Sequence, residues 1–258
     1  MLQNENDIAK RRAQRRRKAR LKHLKVGFAI FLIFALIIGT VLSLTVLFPI
    51  KHVNTVGSNI YSGDELSKSS GLFQKNIFTA SEVKVLNNLR EKYPFIDTVK
   101  LKRELPDRIN LTVTDAKEYY CYKTKEGFYS ASEKEYILKL YKKKPKNTIE
   151  IRGDFKELNP GKKAVFTKEI AKNSLEQIRN DLDEKKIKTD YIDLTDMNNI
   201  KIGVKGDFKV LLGNNSYLDK KIAHLGGMLD SIKNGKKGTI NLSMWTPTKS
   251  EGTFIKSN

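Results

Sequence analysis

Cysteine, histidine and tryptophan are nearly missing from this chain of 258 residues, which has one Cys, three His and one Trp. The single Cys121 cannot close an internal disulfide, so a disulfide-stapled scaffold is excluded, and an exported protein from an organism that avoids extracytoplasmic cysteine is compatible with it. Its distance from the N-terminus also excludes a lipoprotein-style thiol anchor. His23, His52 and His224 fall in a basic tail, a short strand and a helix. With no His-x-x-x-His and no Cys pair, no metal site and no cofactor are expected. Between Val26 and Phe48, in VGFAIFLIFALIIGTVLSLTVLF, charge, side-chain amides and proline are all absent. At about 1.5 Å per helical residue this run is long enough to cross a hydrocarbon core of roughly 30 Å, whereas a buried core helix would be shorter and carry a polar stripe. A transmembrane helix is predicted over residues 26–48.

The flanks orient it. Lys10 to Lys25 hold ten Lys or Arg and no acid, while Phe48-Pro49-Ile50-Lys51 holds one base. Basic residues stay in the cytoplasm, so the N-terminus is expected inside and Pro49 onward outside. A cleaved signal peptide would have a shorter apolar region and a small-x-small site. Thr45-Val46-Leu47-Phe48-Pro49 offers none. The span therefore reads as a retained anchor.

The net charge of +20 invites a nucleic-acid reading, but its distribution argues otherwise. Residues 1–25 carry a net +8, leaving +12 for the 233 residues beyond. This tail has no aromatics for base stacking and no DNA-binding motif. Topology and attraction to anionic head groups account for it, so no specific nucleic-acid partner is expected. The Asn-x-Ser/Thr triplets at Asn110, Asn214 and Asn241 read as chance matches.

Past the anchor, the first outer module alternates predictably. Ile50 to Val56 reads as a strand closed by a turn at Gly57-Ser58-Asn59. Ser62-Gly-Asp-Glu65 and Thr79-Ala-Ser-Glu82 have capping-box spacing and open two helices, the second with Leu86, Leu89 and Tyr93 on one face and Pro94 as its stop. Val99, Leu101 and Arg103, then Ile109, Leu111 and Val113, form a hairpin about Leu105-Pro-Asp107. The second module predicts strands over Glu118–Lys125, Gly127–Ala131 and Pro145–Gly153. Thr167 is expected to cap a helix striped by Ala171, Leu175, Ile178 and Leu182. Then come a strand at Tyr191–Leu194 and a hairpin, Ile200–Val204 with Phe208–Leu212, turned by Lys205-Gly-Asp207. A helix follows with Leu218, Ile222, Leu225, Leu229 and Ile232 on a stripe, its Gly226-Gly227 read as a site of close packing against the sheet. Gly238 to Trp245 closes the fold as its last strand.

The run from Tyr93 to Val113, YPFIDTVKLKRELPDRINLTV, resembles the end of a POTRA domain in the form found in the bacterial cell-division proteins FtsQ and DivIB. The spacing of Val53, Val56, Gly57 and Asn59 extends the likeness, and a basic tail with one anchor before it is that family's layout. Asp115-Ala-Lys-Glu118 departs from it by lacking the usual Glu-x-x-Pro. The second module resembles the family's β domain through the Gly-Asp turn, Leu211-Leu212-Gly213, the Lys220-Lys221 helix and a closing strand. That strand reads Ile240-Asn241-Leu242-Ser243 where Ile-Asp-Leu-Arg is usual. The expected fold is thus α+β: tail 1–25, transmembrane helix 26–48, POTRA domain (βααββ) 49–117, mixed-sheet β domain 118–246 and polar tail 247–258.

The resemblance implies a non-enzymatic divisome scaffold in the cell membrane at the division septum. Its implied partners are small bitopic proteins of the FtsB/DivIC and FtsL type, with the septal peptidoglycan synthase positioned indirectly. The competing classes are a cell-envelope enzyme and a module binding anionic wall polymer such as teichoic acid. Ser81-Glu-Val-Lys84 matches Ser-x-x-Lys of penicillin-binding enzymes, but neither Ser-Asp-Asn nor Lys-Thr-Gly occurs, so no catalytic residue is expected. The partner site is expected on the closing strand, at Thr239, Ile240, Asn241, Leu242, Ser243, Met244 and Trp245. As the last strand before a polar tail it would present a sheet edge to a partner strand, with Trp245 as anchor.

Overall fold

A computed structural model describes residues 27–39, 48–204, 208–232, 237–249 and 251–256. Residues 27–39 form helix α1, every one of them exposed. The rest of the expected transmembrane span, residues 26 and 40–47, lies outside the described residues, as do the basic tail and the Lys205-Gly-Asp207 turn. Among the described residues no helix is long and apolar enough to cross a membrane.

The elements after residue 48 begin in the expected order: β1 (His52–Val56), α2 (Gly63–Ser69), a 3-10 turn (Ile77–Thr79), α3 (Glu82–Lys92), β2 (Ile96–Glu104) and β3 (Arg108–Asp115). The strands form a sheet in the order β1-β3-β2. The helices occur where the sequence places them, but their caps are not built as the spacing suggests. Neither Ser62 nor Ser81 makes a side-chain cap bond. Glu82 Oε1 instead accepts from the Leu101 amide at 2.7 Å, and Thr79 belongs to the 3-10 turn, its hydroxyl donating to Asn76 O at 3.0 Å.

Contacts gather the chain into two compact units. The first comprises Met1–Val53, Leu72–Ala80 and Lys102–Asn110. Within it the fully buried Ile50 exchanges backbone bonds with the neighbouring turn, donating to Lys75 O at 2.9 Å and accepting from Gln74 N at 3.0 Å. Arg103 Nε reaches Ile77 O at 2.9 Å and Nη2 reaches Ala80 O at 2.7 Å, which satisfies carbonyls the short turn leaves open. The Phe48 and Phe78 rings meet edge to face at 5.3 Å.

The second unit comprises Asn54–Gly71, Ser81–Leu101 and Leu111–Asn258. Its nine-stranded sheet runs β14-β13-β12-β11-β10-β7-β4-β5-β6. These strands are β4 (Tyr120–Lys123), β5 (Phe128–Ala131), β6 (Ile137–Tyr141), β7 (Ile149–Arg152), β10 (Thr189–Asp193), β11 (Ile200–Val204), β12 (Phe208–Gly213), β13 (Gly238–Asn241) and β14 (Thr253–Lys256). A small ribbon, β8 (Phe155–Glu157) with β9 (Val165–Phe166), stands apart. The sheet is mixed, as expected: β4 with β7, β7 with β10 and β12 with β13 are parallel.

Helices α4 (Glu169–Glu184) and α5 (Leu218–Ser231) supply Leu175, Ile178, Leu182, Leu218, Ile222 and Leu225 to the same buried cluster as the strand residues Ile151, Ile192, Ile202 and Val210. The helical period of those apolar residues is what turns one stripe of each helix inward. Lys168, not Thr167, is the N-cap of α4. Gly226 and Gly227 do not mark close packing, because a Cβ at either would meet nothing within 4 Å. Close packing falls at other glycines, Gly203 among them, where a Cβ would overlap the ring of Tyr191. In the same unit Arg90 of α3, 5 % exposed, donates to Ile96 O at 3.2 Å and Asp97 O at 2.8 Å, while its guanidinium lies 3.8 Å over the ring of Tyr136.

One carboxyl on α4 is poorly accommodated. Burial raises the pKa of Asp181, the Asp219 and Glu184 charges add to the shift, and Lys185 partly offsets it. Its Oδ2 is buried with no hydrogen-bond partner among the described residues. A carboxyl whose folded pKa is raised contributes most below its unfolded pKa and loses that contribution as pH climbs through the folded value. Asp181→Asn is therefore expected to raise the unfolding temperature at pH 7 and to lose this advantage as the pH falls below about 4. Thermal unfolding followed at both pH values checks it; equal shifts at both would exclude a titration origin.

Candidate functional site

The closing region is the segment the sequence singles out, and the structure changes its setting. Gly238 to Trp245 is not the last strand. β13 covers only Gly238–Asn241 and is paired on both sides, parallel to β12 and antiparallel to β14. The expected polar tail 247–258 supplies β14, with Thr239 opposite Ile255, Ile240 opposite Phe254 and Asn241 opposite Thr253. The backbone edge foreseen on β13 is therefore already occupied, and the outer edge of the sheet belongs to β14.

The seven expected partner residues divide accordingly. Ile240 and Leu242 are fully buried in the core, Thr239, Asn241 and Ser243 are half-buried, and Met244 is exposed. The Leu242 amide donates to Leu211 O at 2.8 Å, so it continues the ladder toward β12 and does not point outward. Asn241 Oδ1 accepts from the amide of Ser243 at 3.0 Å and from its hydroxyl at 2.7 Å, a local turn that ends the strand. Trp245 is 8 % exposed, its ring 6.1 Å from that of His224 and its Nε1 buried with no acceptor among the described residues. It is a core residue, not a surface anchor.

What the region offers a partner is β14: Thr253, Ile255 and Lys256 exposed, Phe254 half-buried and tilted against Phe208 at 6.3 Å. Gly252 brings the strand in closely, since a Cβ there would press on Met228 Sδ and Leu242 Cδ2. The FtsQ-type POTRA domain family matches residues 48–115, the stretch that holds β1 through β3. A cell division protein DivIB from Clostridium tetani (strain Massachusetts / E88) is 26 % identical over 205 residues, which is 76 % of this chain and 76 % of that protein. The chain carries an FtsQ-type POTRA domain and is similar to DivIB over three quarters of its length.

The expected POTRA order of strand, two helices and hairpin is the one observed, and the residues after β3 form the nine-stranded sheet. Lys221, from the Lys220-Lys221 pair that carried part of the β domain resemblance, is 1 % exposed and fastens α5 to the end of β12. Its Nζ donates to Leu212 O at 2.7 Å and to Asn214 O at 3.1 Å, and burial holds its pKa below the usual lysine value.

Among the described residues no three His, Cys, Asp or Glu are grouped to hold a metal. Ser81 sits at the N-cap of α3 with no side-chain cap bond, and Lys84 follows on the first turn. Ser81→Ala and Lys84→Ala are expected to shift stability by less than about 0.5 kcal/mol and to leave complementation of a division defect intact. Complementation lost by either folded variant would restore the envelope-enzyme reading.

Proposed function

We propose that this protein acts in bacterial cell division as a single-pass membrane scaffold, its basic tail inside and its folded residues outside, recruiting small bitopic partners of the FtsB/DivIC and FtsL type and so positioning septal peptidoglycan synthesis indirectly. The observation that carries the recruitment is the outer edge of β14, which has no strand beside it among the described residues. An open edge accepts an extended segment through main-chain bonds, with selectivity from alternate side chains. Ile255, 63 % exposed, and Lys256 are the outward groups such a segment would meet, with Met244 nearby in sequence. On this reading Thr239 to Trp245 support the partner site from within, as the layer on which β14 rests.

Membrane attachment has its own support. Phe73, Phe78 and Leu105 are exposed in the unit that contains Phe48, the last residue of the apolar run, and Ile77 N donates to Phe48 O at 3.0 Å. Aromatic and aliphatic side chains beside a membrane exit suit the interfacial layer. The POTRA domain would span 49–117 and the β domain 118–246, extended through β14. A fluorescent fusion of the full chain in dividing cells tests the reading. Signal gathered at septa supports it, and uniform envelope signal in a strain where the fusion is the sole copy would overturn it.

A further inference from the structure

A cavity of about 780 Å³ opens between the end of α4, the Pro145–Thr148 turn and the start of β10, remote in sequence from the closing strand. Its wall holds five cations, Lys144, Lys146, Arg179, Lys186 and Lys188, against two carboxylates, Asp183 and Asp190. Two of the cations are already engaged. Arg179 pairs with Glu135 and stacks 4.5 Å over Tyr120, and Lys144 lies 3.5 Å from Glu150 and donates to Asp190 O at 3.3 Å. Lys146, Lys186 and Lys188 have no carboxylate within salt-bridge distance among the described residues.

The floor is unfinished in a second way. Thr189, 7 % exposed, lines the cavity, and its hydroxyl is buried with no hydrogen-bond partner among the described residues, as is Arg179 Nε. A buried unpaired hydroxyl costs desolvation that a ligand would recover. Two wall residues, Asn147 and Lys186, are also held at φ 59° and 56°, a left-handed conformation that non-glycine residues adopt at a cost. At Lys186 this follows from helix termination, where its amide turns back to Asp183 O at 3.0 Å and the Ile187 amide to Leu182 O at 2.9 Å.

We infer that this cavity binds a phosphate-bearing polyol or sugar: the three uncommitted lysines meet the phosphate, the Asp183 and Asp190 carboxylates accept from ligand hydroxyls, and the Thr189 hydroxyl closes on one of them. Carboxylates beside lysines are what separates this class from a bare polyanion, because an anion alone gains nothing from Asp183 and Asp190. Tyr119, exposed at the rim and edge-on to Tyr120 at 4.7 Å, gives the carbon skeleton an apolar face. The site is independent of the β14 edge, and its test needs no division partner.

The experiment is calorimetric titration of the full chain in nanodiscs with polyglycerol phosphate, using neutral glycerol oligomer and poly-glutamate as comparison ligands. The basic N-terminal tail is a second cluster of positive charge, so three variants separate the sources: Lys146→Glu with Lys188→Glu, Thr189→Val, and a tail variant with Arg15, Arg16 and Arg17 changed to Gln. The cavity charge pair is expected to lower affinity roughly tenfold or more, and Thr189→Val several-fold, with the tail variant unchanged. Loss in the tail variant alone would overturn the proposal. So would poly-glutamate binding as tightly as the phosphate polymer, or undiminished binding by both cavity variants with circular dichroism unaltered.

Discussion

Truncation after Thr246 is expected to reduce capture of a DivIC-type partner by at least about tenfold, because it removes β14 and with it the edge to which a partner strand would add. The fold should survive. β14 is a four-residue outer strand, and among its side chains only Phe254 is packed against the core cluster. The same experiment separates two ways of using the closing region. If a partner instead displaced β14 and paired with β13, truncation would unmask Thr239 to Asn241 and strengthen capture. Proline substitutions refine the result. Adjacent amides on an edge strand alternate inward and outward, so of Phe254→Pro and Ile255→Pro one removes an outward donor and the other an inward bond to β13. Pull-down of the full-length variants, with circular dichroism for fold, reads all three. Undiminished capture by every folded variant would move the interface to another surface.

Trp245→Ala is expected to destabilise the fold by about 3–5 kcal/mol, the range for emptying a large aromatic from a core. With 8 % of its surface exposed, this side chain cannot be a recruitment anchor without leaving the buried cluster it shares with Leu242 and Ile240. Trp245→Phe should cost less. It keeps a ring in the site and deletes an indole N–H that is buried without an acceptor among the described residues. Urea unfolding monitored by circular dichroism suits both, since the chain has no other tryptophan to report by fluorescence. A loss below about 1 kcal/mol in Trp245→Ala, together with lost capture, would return Trp245 to the role the sequence suggested.

Periodicity made most elements legible before any coordinates. The stripe of Ala171, Leu175, Ile178 and Leu182 on α4 is buried throughout, and so are Ile109, Leu111 and Val113 on β3, because a period of 3.6 or 2 leaves one face to hide whatever the tertiary partner is. The motif from Tyr93 to Val113 likewise marked the POTRA hairpin correctly. Less was readable where local signals compete. Ile137 to Tyr141 and Thr253 to Lys256 are short strands carrying lysine, too brief to stand out from polar loops. Cap spacing at Thr79 and Glu82 misled because Glu82 found a better donor across the fold, the Leu101 amide.

By itself the sequence determined the apolar run over 26–48, the order of both main helices and of the longer strands, and which of their residues turn inward, since these depend on neighbours a few positions away. Only the tertiary structure decided which strand ends the sheet. That depends on β13 lying parallel to β12 and taking β14 on its other side, pairings between segments whose spacing in sequence leaves no periodic trace. The same holds for the cavity, whose wall joins residues near 119, 146 and 188 through the parallel pairings of β4 with β7 and β7 with β10. Parallel neighbours need long crossovers, so what they bring together is set by packing across the whole sheet.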